Sequence, residues 1–150
     1  MKALWFLILT VVLFAGCTTH RGVQPDSPGS GVVDYWVVPR VDSLQPILKW
    51  KPIEGIENVT YDLIVYEAIK EVWPGWRSEM ATGPEVYYRE GIEGTIHRIE
   101  VVLRGNTQYF WAVRARKNGK VSAWSASSYN DFVEKRTNYL FSFKTPKTSP

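Results

Sequence analysis

Chemistry in a protein starts with its thiols, imidazoles and carboxylates, and here they are few and scattered. The chain of 150 residues has one cysteine, Cys17, and two histidines, His20 and His97. Hydrolysis or group transfer needs a nucleophile, a base or a metal that converge. A lone imidazole at position 97 has no second histidine with which to share a metal. The carboxylates of Glu54, Glu57, Glu71, Glu90 and Glu93 fall among turn residues and strand ends, where solvated charge is the ordinary role. No glycine-rich phosphate loop, serine elbow or zinc spacing occurs. The reading is a protein that is not an enzyme and uses no cofactor or metal.

Aromatic residues offer recognition instead. Trp73-Pro74-Gly75-Trp76 places two indoles around a Pro-Gly turn. Flat rings of this kind bind a sugar or peptide with little entropy loss. The competing role is a small satellite core that holds a long loop down. The formal charge of +3 has no long basic block behind it, so nucleic acid is not an expected partner.

The first residues read as an address. Lys2 is a short positive region, and Ala3 to Ala15 is an apolar run of thirteen residues. A bilayer span needs roughly 20. The run ends in Leu13-Phe14-Ala15-Gly16-Cys17, which resembles a bacterial lipobox, with Phe14 where leucine is usual. The resemblance implies that 1–16 is a signal peptide removed before Cys17. Diacylglycerol would then attach to the Cys17 sulfur and a further acyl chain to its new amine. A plain secretory signal is the alternative. Each buried CH₂ contributes about 0.8 kcal/mol, so three chains anchor permanently. An acylated Cys17 leaves no thiol for a disulfide, so the fold must rely on its core. Thr18 after the cysteine resembles the outer-membrane default, which implies a lipid-anchored protein facing the periplasm. The same bacterial setting gives the sequon Asn58-Val59-Thr60 little meaning.

Residues 17–31, with Gly22, Pro25, Pro28, Gly29, Ser30 and Gly31, have little to bury and read as a flexible tether. At that composition it spans about 20 Å root-mean-square. His20 within it is read as solvated.

The elements that position everything else are strands. In Leu103–Ala115, Tyr109, Trp111, Val113 and Ala115 alternate with Phe110, Ala112 and Arg114, the period of a strand covered on one face. Leu103 and Tyr109 flank the turn Arg104-Gly105-Asn106-Thr107, a spacing at which the tyrosine can bond back to the corner. Leu-x-x-x-Thr-x-Tyr-x-x-x-Val-x-Ala resembles the E–F corner and F strand of a fibronectin type III domain, with Gly105 where proline is usual.

Other segments resemble the same family in order. Val32–Val38 is a first strand, and Leu48-x-Trp50 resembles strand B with its core tryptophan. Val59–Glu67, with Tyr61, Leu63 and Val65 on one face, resembles strand C, followed by a long connection over 68–84. Val86–Glu90 is a short C′ strand before a Gly91–Gly94 turn. Thr95–Leu103 is strand E, with a bulge in the apolar run Val101-Val102-Leu103. Asn118-Gly119 is a strong hairpin dipeptide. Val121-Ser122-Ala123-Trp124-Ser125 resembles half of the Trp-Ser-x-Trp-Ser signature of some members. Phe141, Phe143 and Thr145 resemble the closing strand G. The Ser127–Thr137 connection is longer than usual, and Ser128 with Asp131 fits the cap of one helical turn there.

The fold expected is therefore all-β: a seven-stranded immunoglobulin-like sandwich of fibronectin type III type over 32–145, with a tail at 146–150. Trp50, Leu103, Tyr109, Arg114, Arg116 and Trp124 are its structural signature. Tyr109 is expected to lie beside Trp50. Trp124 is expected to stack on Arg114 or Arg116, a one-rung version of the ladder the signature implies. On the outer face of the C–F sheet, Ile64, Tyr66, Phe110 and Ala112 form an apolar cluster that something must cover. That cover is either Trp124 with the Ser127–Thr137 segment, or a partner.

The functional expectation is a non-catalytic binding or assembly module of the bacterial envelope, anchored through Cys17 and engaging an envelope protein. One alternative is an accessory lipoprotein of a secretion or polysaccharide-export machine. Another is a carbohydrate-binding or hydrolytic domain using Trp73 and Trp76.

Overall fold

Which faces meet is decided by strict alternation. Leu48 and Trp50 are buried, while Ile47 and Lys49, which alternate with them, are exposed. The same two-residue period brings Tyr61, Leu63 and Val65, and Tyr109, Trp111, Val113 and Ala115, into one apolar core, while Asp62, Ile64, Phe110 and Ala112 between them are buried on the other face. The computed structural model describes residues 23–28, 38–72, 78–125 and 141–147. These contain β1 (Pro25–Ser27), β2 (Ile47–Trp50), β3 (Thr60–Val72), β4 (Ser78–Glu93), β5 (Ile96–Arg98), β6 (Gln108–Lys117), β7 (Lys120–Val121) and β8 (Phe141–Lys144), and no helix.

The strands form two antiparallel sheets. One has the order β1-β2-β5, and the other β4-β3-β6-β7, with β8 also pairing β6. Their inner faces share the core, the arrangement of a β-sandwich. Eight strands occur among the described residues where seven are expected. The extra one arises because β7 and β8 pair the two ends of β6: Arg116 and Lys117 with β7, Gln108 to Trp111 with β8.

The corner between Leu103 and Tyr109 is built as its spacing predicts. Tyr109 is 1% exposed, and its hydroxyl accepts the Arg104 N–H at 2.9 Å. Its ring neighbour is Phe143, with centroids 5.6 Å apart, not Trp50, which packs on Tyr61 at 5.5 Å. Phe143 takes that place because β8 pairs Phe143 directly with Tyr109. Thr145 closes the same corner from the other side. Its hydroxyl accepts the Thr107 N–H at 3.0 Å and donates to the Arg104 carbonyl at 2.6 Å. Tyr109→Phe is expected to cost about 1 kcal/mol or more, because the Arg104 N–H loses its acceptor. Urea unfolding measures it, and an unchanged midpoint would remove the corner bond from the stability of the fold.

Three expected boundaries are corrected. The tether of 17–31 does not run free to the sandwich. Val23 is 2% exposed, Gln24 accepts the Lys51 N–H at 2.8 Å, and Pro25 pairs with Trp50. A short edge strand tolerates proline and glycine neighbours, which is why the composition concealed it. The expected strand Val32–Val38 lies outside the described residues, except for Val38.

The long connection over 68–84 is a hairpin. β3 pairs β6 only as far as Glu67↔Tyr109, yet it pairs β4 on to Val72↔Ser78. The short C′ strand is accordingly the sixteen-residue β4, which contains Gly91 of the expected turn, and a two-stranded arm extends past the sheet. The arm starts at a bulge where Gly83 and Pro84 oppose Glu67. A Cβ at Gly83 would lie 2.8 Å from the Glu67 carbonyl oxygen, so only glycine fits.

Strand E is shorter than Thr95–Leu103, since β5 ends at Arg98. Its backbone still reaches the preceding loop, Ile99 N–H donating to Pro46 and Leu103 N–H to Leu44. Between them Val101 and Val102 bulge outward, 41% and 72% exposed, before Leu103 returns to the core.

Candidate functional site

An aspartate in the middle of the run Tyr61-Asp62-Leu63-Ile64-Val65 has to find cations, because burying an unpaired carboxylate is costly. β3 points Asp62 to the outer face, opposite Arg114 of β6, and it is 0% exposed. Strand alternation puts Arg116 on the same face, about 7 Å farther along. Both arginines close on the carboxylate. Arg114 Nε donates to Oδ2 at 2.8 Å. Arg116 donates twice, from Nε to Oδ1 at 2.9 Å and from a terminal nitrogen to Oδ2 at 2.8 Å. The Gly91 N–H adds a longer bond of 3.3 Å to Oδ1.

The cluster then extends across three strands, β3, β4 and β6, and the segment after β7. Arg116 also meets Glu90 at 3.3 Å. The Tyr88 hydroxyl donates to Glu90 Oε1 at 2.8 Å and accepts from Arg114 at 3.3 Å. The Arg114 guanidinium carbon lies 4.4 Å from the Trp124 ring centroid, the expected single rung. Tyr88 meets the same indole edge-on at 6.4 Å. Arg116 takes the carboxylates instead of a second ring.

Burial alone would raise the Asp62 pKa. The hydrogen bonds from Arg116, Arg114 and Gly91, with the Arg116 charge, outweigh burial and hold it below the ordinary carboxylate value. The bond to Asp62 raises the Arg116 pKa in turn. The ionised Asp62, bonded to both guanidiniums and to the Gly91 N–H, ties β3, β4 and β6 together.

Two serines fasten the segment that carries Trp124. Ser122 Oγ accepts the Ala115 N–H at 3.0 Å, and Ser125 Oγ accepts the Val113 N–H at 3.0 Å. Their own N–H groups donate to the Ala115 and Val113 carbonyls at 2.9 and 2.8 Å. Both sides of β6 are thereby satisfied past the end of β7.

A second cluster joins the sheets at the β4–β5 seam. The Tyr87 hydroxyl and His97 Nε2 lie 2.7 Å apart, with the rings stacked at 5.9 Å. Burial lowers the His97 pKa, opposed by the Glu100 charge and assisted by Arg89. Burial, with Glu100, raises that of Tyr87. Among the described residues no group of three His, Cys, Asp or Glu side chains gathers to hold a metal.

The expected apolar patch lies on the outer face and is largely covered. Ile64 and Phe110 are 8% and 7% exposed, so neither presents a free surface to a partner. Tyr66 is half-buried beside them, and burial with the Glu85 charge raises its pKa. Glu90, expected as a solvated turn carboxylate, is in β4 and bonded to Arg116 and Tyr88. Cys17, Trp73, Trp76, His20 and the Ser127–Thr137 connection lie outside the described residues. The Asp62 network went unread in the sequence, although its signal was there: an acid inside an apolar strand, and two arginines at alternate positions of another. No family model matches the chain, and no curated protein is similar to it.

Proposed function

We propose that this protein is a bacterial envelope lipoprotein whose one domain, of fibronectin type III type, binds or positions a partner at the outer membrane. Cys17 carries the reading, because the only thiol in the chain stands where a lipobox places it, after Ala15-Gly16. The strand order supports the family: sheets of first, second and fifth strands and of fourth, third, sixth and last strands follow its pattern. The Tyr109 corner and the serines beside Trp124 support it further.

Membrane extraction followed by intact-mass measurement tests the anchor. The expected product is a chain starting at residue 17 and heavier by its acyl chains, and Cys17→Ser is expected to be soluble. A chain that keeps 1–16 and stays in the membrane would make the segment a signal anchor. Crosslinking in the envelope, then capture, is expected to recover one protein partner. A second reading rests on the arm, whose last pair, Val72↔Ser78, brackets the Trp73–Trp76 connection. Retention on immobilised polysaccharide that is lost on Trp73→Ala would favour a sugar-binding role over a protein-binding one.

A further inference from the structure

The sandwich has two poles, and the chain enters at one of them. Val23 and Gln24 continue β1 past Trp50, and Gln24 accepts the Lys51 N–H at 2.8 Å. The Trp50 N–H donates to Thr95 at 3.0 Å, which places the β4–β5 turn at the same pole. Thr60 pairs with Glu93 and with Arg116, which brings the start of β3 and the Asn118-Gly119 turn there as well. The opposite pole holds the E–F corner and Thr145. From Thr60 the strand β3 runs away from the entry pole for twelve steps to Val72, about 40 Å at strand rise. The arm therefore points away from the place where the chain comes in.

Only Thr18 to Gly22 separate Cys17 from buried Val23. The six Cα–Cα steps of that link reach at most about 20 Å, and about 13 Å root-mean-square if it behaves as a flexible coil. That is less than the length of the domain, so the chain length limits how the domain can sit. We infer that the entry pole, formed by the Lys51–Asn58 loop, the Glu93–Thr95 turn and the Lys117–Lys120 turn, faces the phospholipid headgroups of the leaflet that holds the acyl chains, and that the β3–β4 arm is the membrane-distal element offered to partners. The inference rests on the acylation of Cys17.

Charge does not decide this arrangement. Exposed Lys51, Lys117 and Lys120 at the pole are matched by exposed Glu54, Glu57 and Glu93, so an anionic surface neither draws the pole in nor repels it. The short link fixes the position. Ile56, Ile96 and Val121, 46%, 58% and 45% exposed, are apolar side chains at or next to this pole that can meet the headgroup layer.

The test uses the acylated mature protein in vesicles of phosphatidylethanolamine and phosphatidylglycerol containing a headgroup-labelled rhodamine lipid. With Cys17 acylated, an introduced cysteine is the only free thiol. A donor dye is placed by Glu57→Cys at the entry pole or by Lys70→Cys on the arm, both exposed positions. Energy transfer to the lipid is expected to be several-fold greater from position 57. A long Gly-Ser insertion between Thr19 and His20 is expected to reduce transfer from position 57 towards that from position 70. Equal or reversed transfer in a protein whose mass shows the acyl chains would overturn the orientation and leave the lipoprotein reading standing. A chain without acyl mass would remove both.

Discussion

Asp62→Asn is expected to lower the stability of the Cys17→Ser chain by about 3 kcal/mol. Removing one partner from a buried ion cluster costs about 3–5 kcal/mol when the remaining charge stays buried. Here the lower end applies, because the Arg114 and Arg116 side chains are 21% and 28% exposed and can turn partly to water. An amide is nearly the same size as the carboxylate, so the loss cannot be assigned to a cavity. Its oxygen can still accept from one guanidinium. Its NH₂ group then directs a donor at the other, and the three arginine bonds to Asp62 cannot all persist.

Acid separates this network from general loosening. The folded pKa of Asp62 lies below its ordinary value. A group depressed in this way contributes stability that is fully present above the unfolded pKa of about 3.9 and is lost as pH falls through the folded value. The parent chain should therefore lose this contribution only below about pH 4, and the Asp62→Asn chain has none to lose. Urea midpoints for the two should converge as pH falls from 5 towards 2. Parallel loss across that range would show that Asp62 carries no linked stability.

The sequence was legible wherever one side of a strand was apolar. Leu48 with Trp50, the Tyr61 face, the Tyr109 face and Phe141 with Phe143 all point to the core as their alternation requires. The Leu103–Tyr109 spacing disclosed the corner because that contact is local in the chain. The segments misread lack a one-sided pattern. β1 has three residues in a stretch of proline and glycine, and its inclusion depends on the long-range pairing of Pro25 with Trp50. The arm mixes polar and apolar residues, and only Pro74-Gly75 marks its end as a hairpin. Register in such a strand comes from its neighbours, which no local window contains.

The site was less legible than the fold for the same reason. Asp62 and Arg114 are fifty-two positions apart, and they meet because β3 and β6 pair in one register. A shift of one residue would send Asp62 into the core and Leu63 to the outer face, so the ion cluster and the apolar core select the same pairing. Ile64 and Phe110 show the opposite limit. Alternation assigned them to the outer face correctly but gave no information on whether that face was covered.

Trp124→Ala is expected to cost about 2 kcal/mol. A fully buried Trp→Ala change costs about 3–5 kcal/mol, and this indole is only half-buried. The guanidinium stacked on it contributes roughly 0.5–1 kcal/mol when exposed and about 2 when desolvated. Arg114, at 21% exposed, lies between those limits. The segment should stay in place, because the Ser122 and Ser125 bonds to β6 involve no part of the ring. The loss would therefore report ring packing and the cation–π contact, not detachment. Trp124→Phe keeps part of the ring and should recover part of the loss, since a phenyl face attracts a cation less strongly than an indole. Thermal unfolding of the two variants checks the order. Unchanged stability in Trp124→Ala, together with lost capture of an envelope partner, would mean that the indole serves the partner and not the fold, and the Arg114–Tyr88 face would become the binding site.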